Sequence, residues 1–248
     1  MPATKKKPVS SATACTTKTN FDVLVTGFDR WTGHPNEPNP SYLITSSLPG
    51  RVTLQHFSSG TATINITIHQ APVSVHFAEL DELVPRLYDK KHYDFVLHTG
   101  VAPGIKWYEV ETFARRSGYK NKDDSGGRPT DGDHSGYGGR QGPAQYETCV
   151  LDMGISEVLK AWKAQCKIKD ADLRVSRDAG LFVCEYITYA SLAYLHHQKD
   201  HLLPLDQQTG VAFLHAPADR SDAMVGRGKE VYIALIKALV ARRLDLMS

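Results

Sequence analysis

Apolar side chains come in two forms along this chain: short, nearly continuous runs that stop at glycine or histidine, and longer stretches with helical spacing. Phe21–Gly27 (FDVLVTG), Asp94–Gly100 (DFVLHTG) and Val211–His215 (VAFLH) are of the first form, the pattern of strands covered on both faces. Ala62–Val73 (ATINITIHQAPV) alternates and is rich in β-branched residues, which also predicts a strand, and Asp172–Ser176 predicts a shorter one. Phe77, Leu80, Leu83, Val84 and Leu87 recur at helical spacing and predict an amphipathic helix over His76–Tyr88. Further helices are expected over Pro143–Lys167, Leu181–His197 and Val225–Leu244, the last turning Val231, Leu235, Ala238 and Leu239 inward. Strands alternating with helices predict an α/β fold: a three-layer α/β/α domain with a largely parallel or mixed twisted sheet covered by helices on both faces.

The remaining stretches read differently. Met1–Asn20 is rich in Ser, Thr and Ala, carries Lys5, Lys6 and Lys7, and is expected to be a disordered, solvated tail before one domain over residues 21–248. Ser117–Gly142 is dense in Gly, Asp and Ser and predicts a long irregular loop, a length usually tied to function or mobility.

Composition narrows the function classes. A chain of 248 residues with 41% hydrophobic and 23% charged residues is ordinary for a globular protein. Its formal charge of +2 gives no electrostatic case for a nucleic-acid partner. No apolar segment reaches membrane-spanning length, and the first residues lack the apolar core of a secretory signal, so no membrane partner is expected. Cys15, Cys149, Cys166 and Cys184 show no CxxC or framework spacing, which predicts reduced thiols in a cytoplasmic setting. The glycine-rich stretch lacks GxxxxGK[ST], and GxSxG is absent, so neither a phosphate loop nor a serine nucleophile elbow is indicated. His197 and His201 stand beside Lys199 and Asp200 without a third ligand and read as a solvated helix end.

In open α/β sheets ligands bind beyond the carboxyl ends of the strands. The residues just past predicted strand ends are Gly27-Phe28, Gly100-Val101, the segment Asp178–Cys184 and His215. An Asp178-Ala179-Gly180 turn places Cys184 in the first helical turn, where free N–H groups and the helix dipole stabilise a thiolate. Cys184 on its own reads equally as a small buried hydrophobe, and His215 as a structural side chain. Together they form a candidate Cys–His dyad. Glu109, Glu111 and Asp219 are all candidates for the group that orients the imidazole, and spacing does not choose among them.

Four blocks then carry a resemblance. VTGFDRWTGHPNEPNPS resembles the pattern TGFxPFxGxxxNPS of the pyroglutamyl peptidase type I family. HTGVAPGIKWYEVETFARRSGY resembles the segment after that family's third strand, SRDAGLFVCEYITYASL its DAGxxxC nucleophile motif, and VAFLHAP its histidine motif. The blocks stand in family order from about Phe21 to Pro217. The resemblance implies a cysteine peptidase, a hydrolase that removes N-terminal pyroglutamate from peptides without metal or organic cofactor. It implies Cys184 as nucleophile, His215 as base and Glu111 as acid, with Phe28, Trp31, Asn39, Gly100 and Val101 around the substrate. Arg30-Trp31 replaces the family's Pro-Phe, two residues are inserted before Asn39-Pro40, and Lys106-Trp107-Tyr108 also departs from the pattern. These departures bear on substrate fit. They keep two alternatives in view: a non-catalytic binder of blocked N-termini on the same fold, and a thiol amidase for another small cyclic amide.

Overall fold

A computed structural model of the chain describes residues 18–30, 33–129 and 143–248. The elements run β1 (Asn20–Gly27), α1 (Pro40–Ser46), β2 (Arg51–His56), β3 (Gly60–Ile68), α2 (Phe77–Tyr88), β4 (Phe95–Val101), β5 (Tyr108–Glu111) and β6 (Phe113–Arg115). They continue with β7 (Gln145–Glu147), α3 (Cys149–Asp152), α4 (Ile155–Gln165), β8 (Leu173–Ser176), α5 (Val183–His197), β9 (Gly210–Ala216) and α6 (Asp222–Met247). Seven strands form a mixed sheet in the order β2-β3-β1-β4-β9-β5-β8, and β6 and β7 pair separately.

The apolar runs are continuous because each strand buries both faces. From β1, Phe21, Val23 and Val25 enter one core with Phe95 and Leu97 of β4 and Ala212, Leu214 and Ala216 of β9. The alternate residues, including Phe213 of β9, face the other side, where α2 and α5 supply Leu80, Val84, Tyr186 and Ile187. The first core is roofed by α1, α3, α4 and α6, and the second by α2 and α5. This is the expected α/β/α layering. Apolar burial on both faces is the dominant stabilising term.

Four strands, β3, β1, β4 and β9, are mutually parallel, so their carboxyl ends share one edge. The other three run the opposite way: β2 against β3, and the parallel pair β5 and β8 against β9. The expectation that Cys184 follows a strand end on the ligand-binding edge is therefore corrected. The strand before it, β8, ends at the opposite edge. The loop after β8 returns the chain, with Gly180 (φ 94°) and Leu181 (φ 47°) both in the left-handed region. Glycine takes this conformation freely, whereas leucine is strained in it.

Two sequence expectations also change. Pro143–Lys167 is not one helix but β7 followed by α3 and α4, broken at Gly154, whose φ of 83° is incompatible with a continuing helix. The strand expected over Ala62–Val73 stops at Ile68, and Val73 rejoins the sheet as a single bridge to Phe28. His197 lies at the exposed end of α5 and His201 in a short 3-10 turn, Asp200–Leu202. The expected tail falls almost wholly outside the described residues, as does the loop beyond residue 129.

Candidate active site

β4 and β9 pair so that Gly100 stands opposite His215. Beside them, β5 runs antiparallel with Glu109 opposite His215. Because side chains alternate along a strand, Glu109 and Glu111 share the face of His215, which is why spacing alone left both open. Their partners distinguish them. His215 Nδ1 lies 2.8 Å from Glu111 Oε1, and Glu111 has no solvent exposure. Glu109 instead accepts the Trp107 indole N–H at 2.7 Å. Asp219, the third candidate, is exposed and accepts from the Ser221 backbone.

Cys184 is the second residue of α5, after Phe182 as N-cap, and so sits in the first turn, whose backbone N–H groups have no partner within the helix. The Cys184 thiol acts on the His215 imidazole and helps to raise its pKa. Gly100 makes room for this contact. A Cβ there would stand 3.0 Å from Cys184 Sγ and 2.8 Å from the Phe213 ring.

His215 is raised from 6.5 to about 10. Burial is the largest single influence and pushes it down, but hydrogen bonds and charge from Cys184 and Glu111 outweigh it. The imidazole is therefore held as a buried cation between a carboxylate and a sulfur.

A cavity of about 140 Å³ opens beside the thiol. Phe28, Val75, Val101, Pro103, Phe182 and Val183 form its apolar lining, and Asn39 and Cys184 complete it. Phe28 is fixed at both ends: its N–H donates to Ser41 Oγ at 3.1 Å, and its ring packs on Phe213. Asn39 caps α1 by accepting from the Ser41 N–H at 3.0 Å, and its amide donates to the Asp29 carbonyl. Its polar atoms thus hold the loop that shapes the cavity.

Of the residues expected around a substrate, Phe28, Asn39 and Val101 line the cavity and Gly100 lies against the sulfur, whereas Trp31 falls outside the described residues. Sequence reasoning missed Val75, Pro103, Phe182 and Val183. Phe182 and Val183 could have been found as the residues leading into the nucleophile turn. Val75 lies between β3 and α2 and carries no motif.

The donor atoms of Glu109, Glu111 and His215 lie within 4.8 Å of one another, close enough to take a cation. The Trp107 bond to Glu109 and the imidazole bond to Glu111 already occupy part of that donor set.

A family model described as pyroglutamyl peptidase matches residues 21–228. The pyrrolidone-carboxylate peptidase of Lactobacillus helveticus is 28% identical over 207 residues, covering 83% of this chain and 88% of that protein. Human pyroglutamyl-peptidase 1 is 24% identical over 200 residues, covering 79% and 78%. Among solved structures, pyroglutamyl peptidase I from Bacillus amyloliquefaciens superposes with a TM-score of 0.67 at 22% identity, covering 90% of this chain and 97% of that one.

Proposed function

The chain belongs to the pyroglutamyl peptidase family, and from that membership we propose that it is a cysteine peptidase removing N-terminal pyroglutamate from peptides. The observation that carries this reading is Cys184 lining an apolar cavity, with His215 beside it and hydrogen-bonded to the buried Glu111. The cavity suits a flat, uncharged lactam ring laid against Phe28, Val75 and Phe182. An ordinary N-terminus would bring an ammonium group into apolar surroundings that do not solvate it, which accounts for selectivity.

In this reading His215 holds the proton taken from Cys184, and Glu111 stabilises the resulting imidazolium. The thiolate attacks the pyroglutamyl carbonyl, and N–H groups in the first turn of α5 face the developing oxyanion. The C–N bond breaks as His215 returns its proton to the leaving amine. Water then hydrolyses the thioester and releases pyroglutamate.

The two cores on one sheet support taking residues 21–248 as one catalytic domain, and the unpaired, buried Cys149 and Cys166 support a cytoplasmic setting. No helix among the described residues is long and apolar enough to cross a membrane.

The test is release of a fluorogenic amine from a pyroglutamyl amide. Release that iodoacetamide blocks, that fails with a glutamyl or prolyl amide, and that disappears in a folded Cys184→Ala variant is the expected outcome. No release by folded, reduced protein would overturn the reading, as would activity retained in Cys184→Ala.

A further inference from the structure

We infer that Arg115 and Glu185 form a positioning pair that fixes the turn carrying Cys184 and balances the charge beside it. The inference rests on Cys184 being the nucleophile. Glu185 follows Cys184 in the first turn of α5 and is fully buried. Its carboxylate accepts four hydrogen bonds: from Arg115 N–H (2.9 Å), Nε (2.6 Å) and Nη2 (2.8 Å), and from the Leu181 N–H (2.9 Å).

Each bond serves the turn. Leu181 holds a left-handed conformation, φ 47°, that a leucine adopts only when its surroundings enforce it. The bond from its N–H to Glu185 closes the segment Leu181–Glu185 back on itself, much as a capping box closes a helix start. Arg115 ends β6, four residues after Glu111. The pair therefore joins the chain segment holding the acid to the turn holding the thiol. Arg115 also donates to Asp178, which accepts from the Gly180 N–H at 3.1 Å, so the turn is held from both sides.

The second role is electrostatic. A buried carboxylate one residue from a nucleophile opposes formation of the thiolate unless a cation compensates it. Arg115 supplies that cation in a two-pronged geometry that lysine does not reproduce. The other charged or titratable groups around this turn include His215 on β9 with Glu111 on β5 behind it, Asp178 and Arg177 in the preceding loop, with Arg177 over the Phe113 ring of β6, and Tyr119, whose hydroxyl donates to the Arg115 carbonyl. His98 on β4 has both ring nitrogens engaged by Thr26 and Ser191.

The test measures the iodoacetamide alkylation rate of Cys184 against pH, by peptide mass spectrometry, alongside kcat and KM on a pyroglutamyl amide. In Arg115→Met the alkylation midpoint is expected to rise by about one pH unit, the scale of an uncompensated neighbouring charge. The double variant Arg115→Met/Glu185→Gln removes that charge and should return the midpoint to the wild-type value. Arg115→Lys keeps the charge without the fork. It should hold the wild-type midpoint while kcat falls about 10- to 100-fold with KM little changed, the scale of a misplaced reacting group.

A midpoint in folded Arg115→Met equal to wild type, or a double variant that does not restore it, overturns the electrostatic role. Wild-type kcat in Arg115→Lys overturns the geometric one. If Arg115→Met does not fold, a folded double variant with wild-type kcat overturns the pair outright, and one with lowered kcat at the wild-type midpoint supports it. Failure of the underlying reading looks different: wild-type Cys184 would then react with iodoacetamide no faster than an ordinary thiol.

Discussion

Two buried histidines on neighbouring strands, His98 on β4 and His215 on β9, end up at opposite extremes of the imidazole range. Both face α5. His98 has no exposed surface, and Thr26 Oγ1 on Nδ1 and Ser191 Oγ on Nε2, each at 2.9 Å, hold it. Burial, with a smaller contribution from His69, drives it from 6.5 down to about 3. His215 is nearly as buried, yet it rises to about 10 because its partners are a carboxylate and a thiol. Burial alone makes an imidazole a neutral structural wedge. Burial with an anionic partner makes it a held proton, and the difference lies in partners contributed by other strands and helices.

The sharpest way to break this contrast is Glu111→Gln, which leaves His215 with an uncharged partner like those of His98. Turnover of a pyroglutamyl amide should fall roughly 10³- to 10⁴-fold, the scale for removing the orienting acid of a triad. The His215 ring should also titrate several units lower by NMR. Unchanged turnover would remove Glu111 from the mechanism.

His98 makes its own prediction in the acid range. Its folded-state pKa lies below its unfolded value, so the unfolded chain takes up a proton first. The stability His98 contributes is fully present above pH 6.5 and is lost as pH falls from 6.5 toward 3, at about 1.4 kcal/mol per pH unit. A His98→Gln variant should unfold less steeply over that window in urea titrations at several pH values. His215 has the opposite sign: its contribution is intact below 6.5 and fades as pH rises toward 10. Equal acid slopes in wild type and His98→Gln would show that the buried ring does not govern acid unfolding.

Gly100 lies two residues beyond His98 on β4 and opposite His215 on β9, and Gly100→Ala should cost activity more than fold. The added methyl meets Cys184 Sγ and the end of the Phe213 ring, so kcat should drop by about 10- to 100-fold, as for a nucleophile displaced from its base. A variant with wild-type kcat would mean the site relaxes around the methyl. Smallest is Thr26→Val, which removes one hydroxyl from His98. It should cost about 1 kcal/mol in urea unfolding and leave turnover unchanged. A loss of turnover there would mean that the two histidines are coupled.

Part of this contrast was legible in the sequence. His98 and His215 both stand in apolar runs whose continuity marks them as buried, and the Asp178-Ala179-Gly180 turn announced a helix start near Cys184. The short pieces were not legible. β5, β6 and β7 have four or three residues each, too few for a period to register, and β7 sits within a stretch whose composition favours a helix. β2 (RVTLQH) shows only one deeply buried side chain, so its pattern resembles a loop. α1 did carry a signal that went unused, with Asn39 as N-cap and Pro40 in the first turn.

The sequence by itself determined which segments become buried strands and helices, because side-chain period and turn chemistry are local properties. It also determined which residue types were available for chemistry. Only the tertiary structure decided that β5 and β8 run against β9, because strand direction follows from how the chain returns and is not written in any residue. That reversal brings both Glu109 and Glu111 to the face of His215, where Glu111 takes the imidazole and Glu109 the Trp107 indole, and it requires the strained turn at Gly180 and Leu181 to bring Cys184 back to the same edge. The charge state of each buried histidine follows from the same packing, since Coulomb and desolvation energies depend on distance in space rather than separation along the chain.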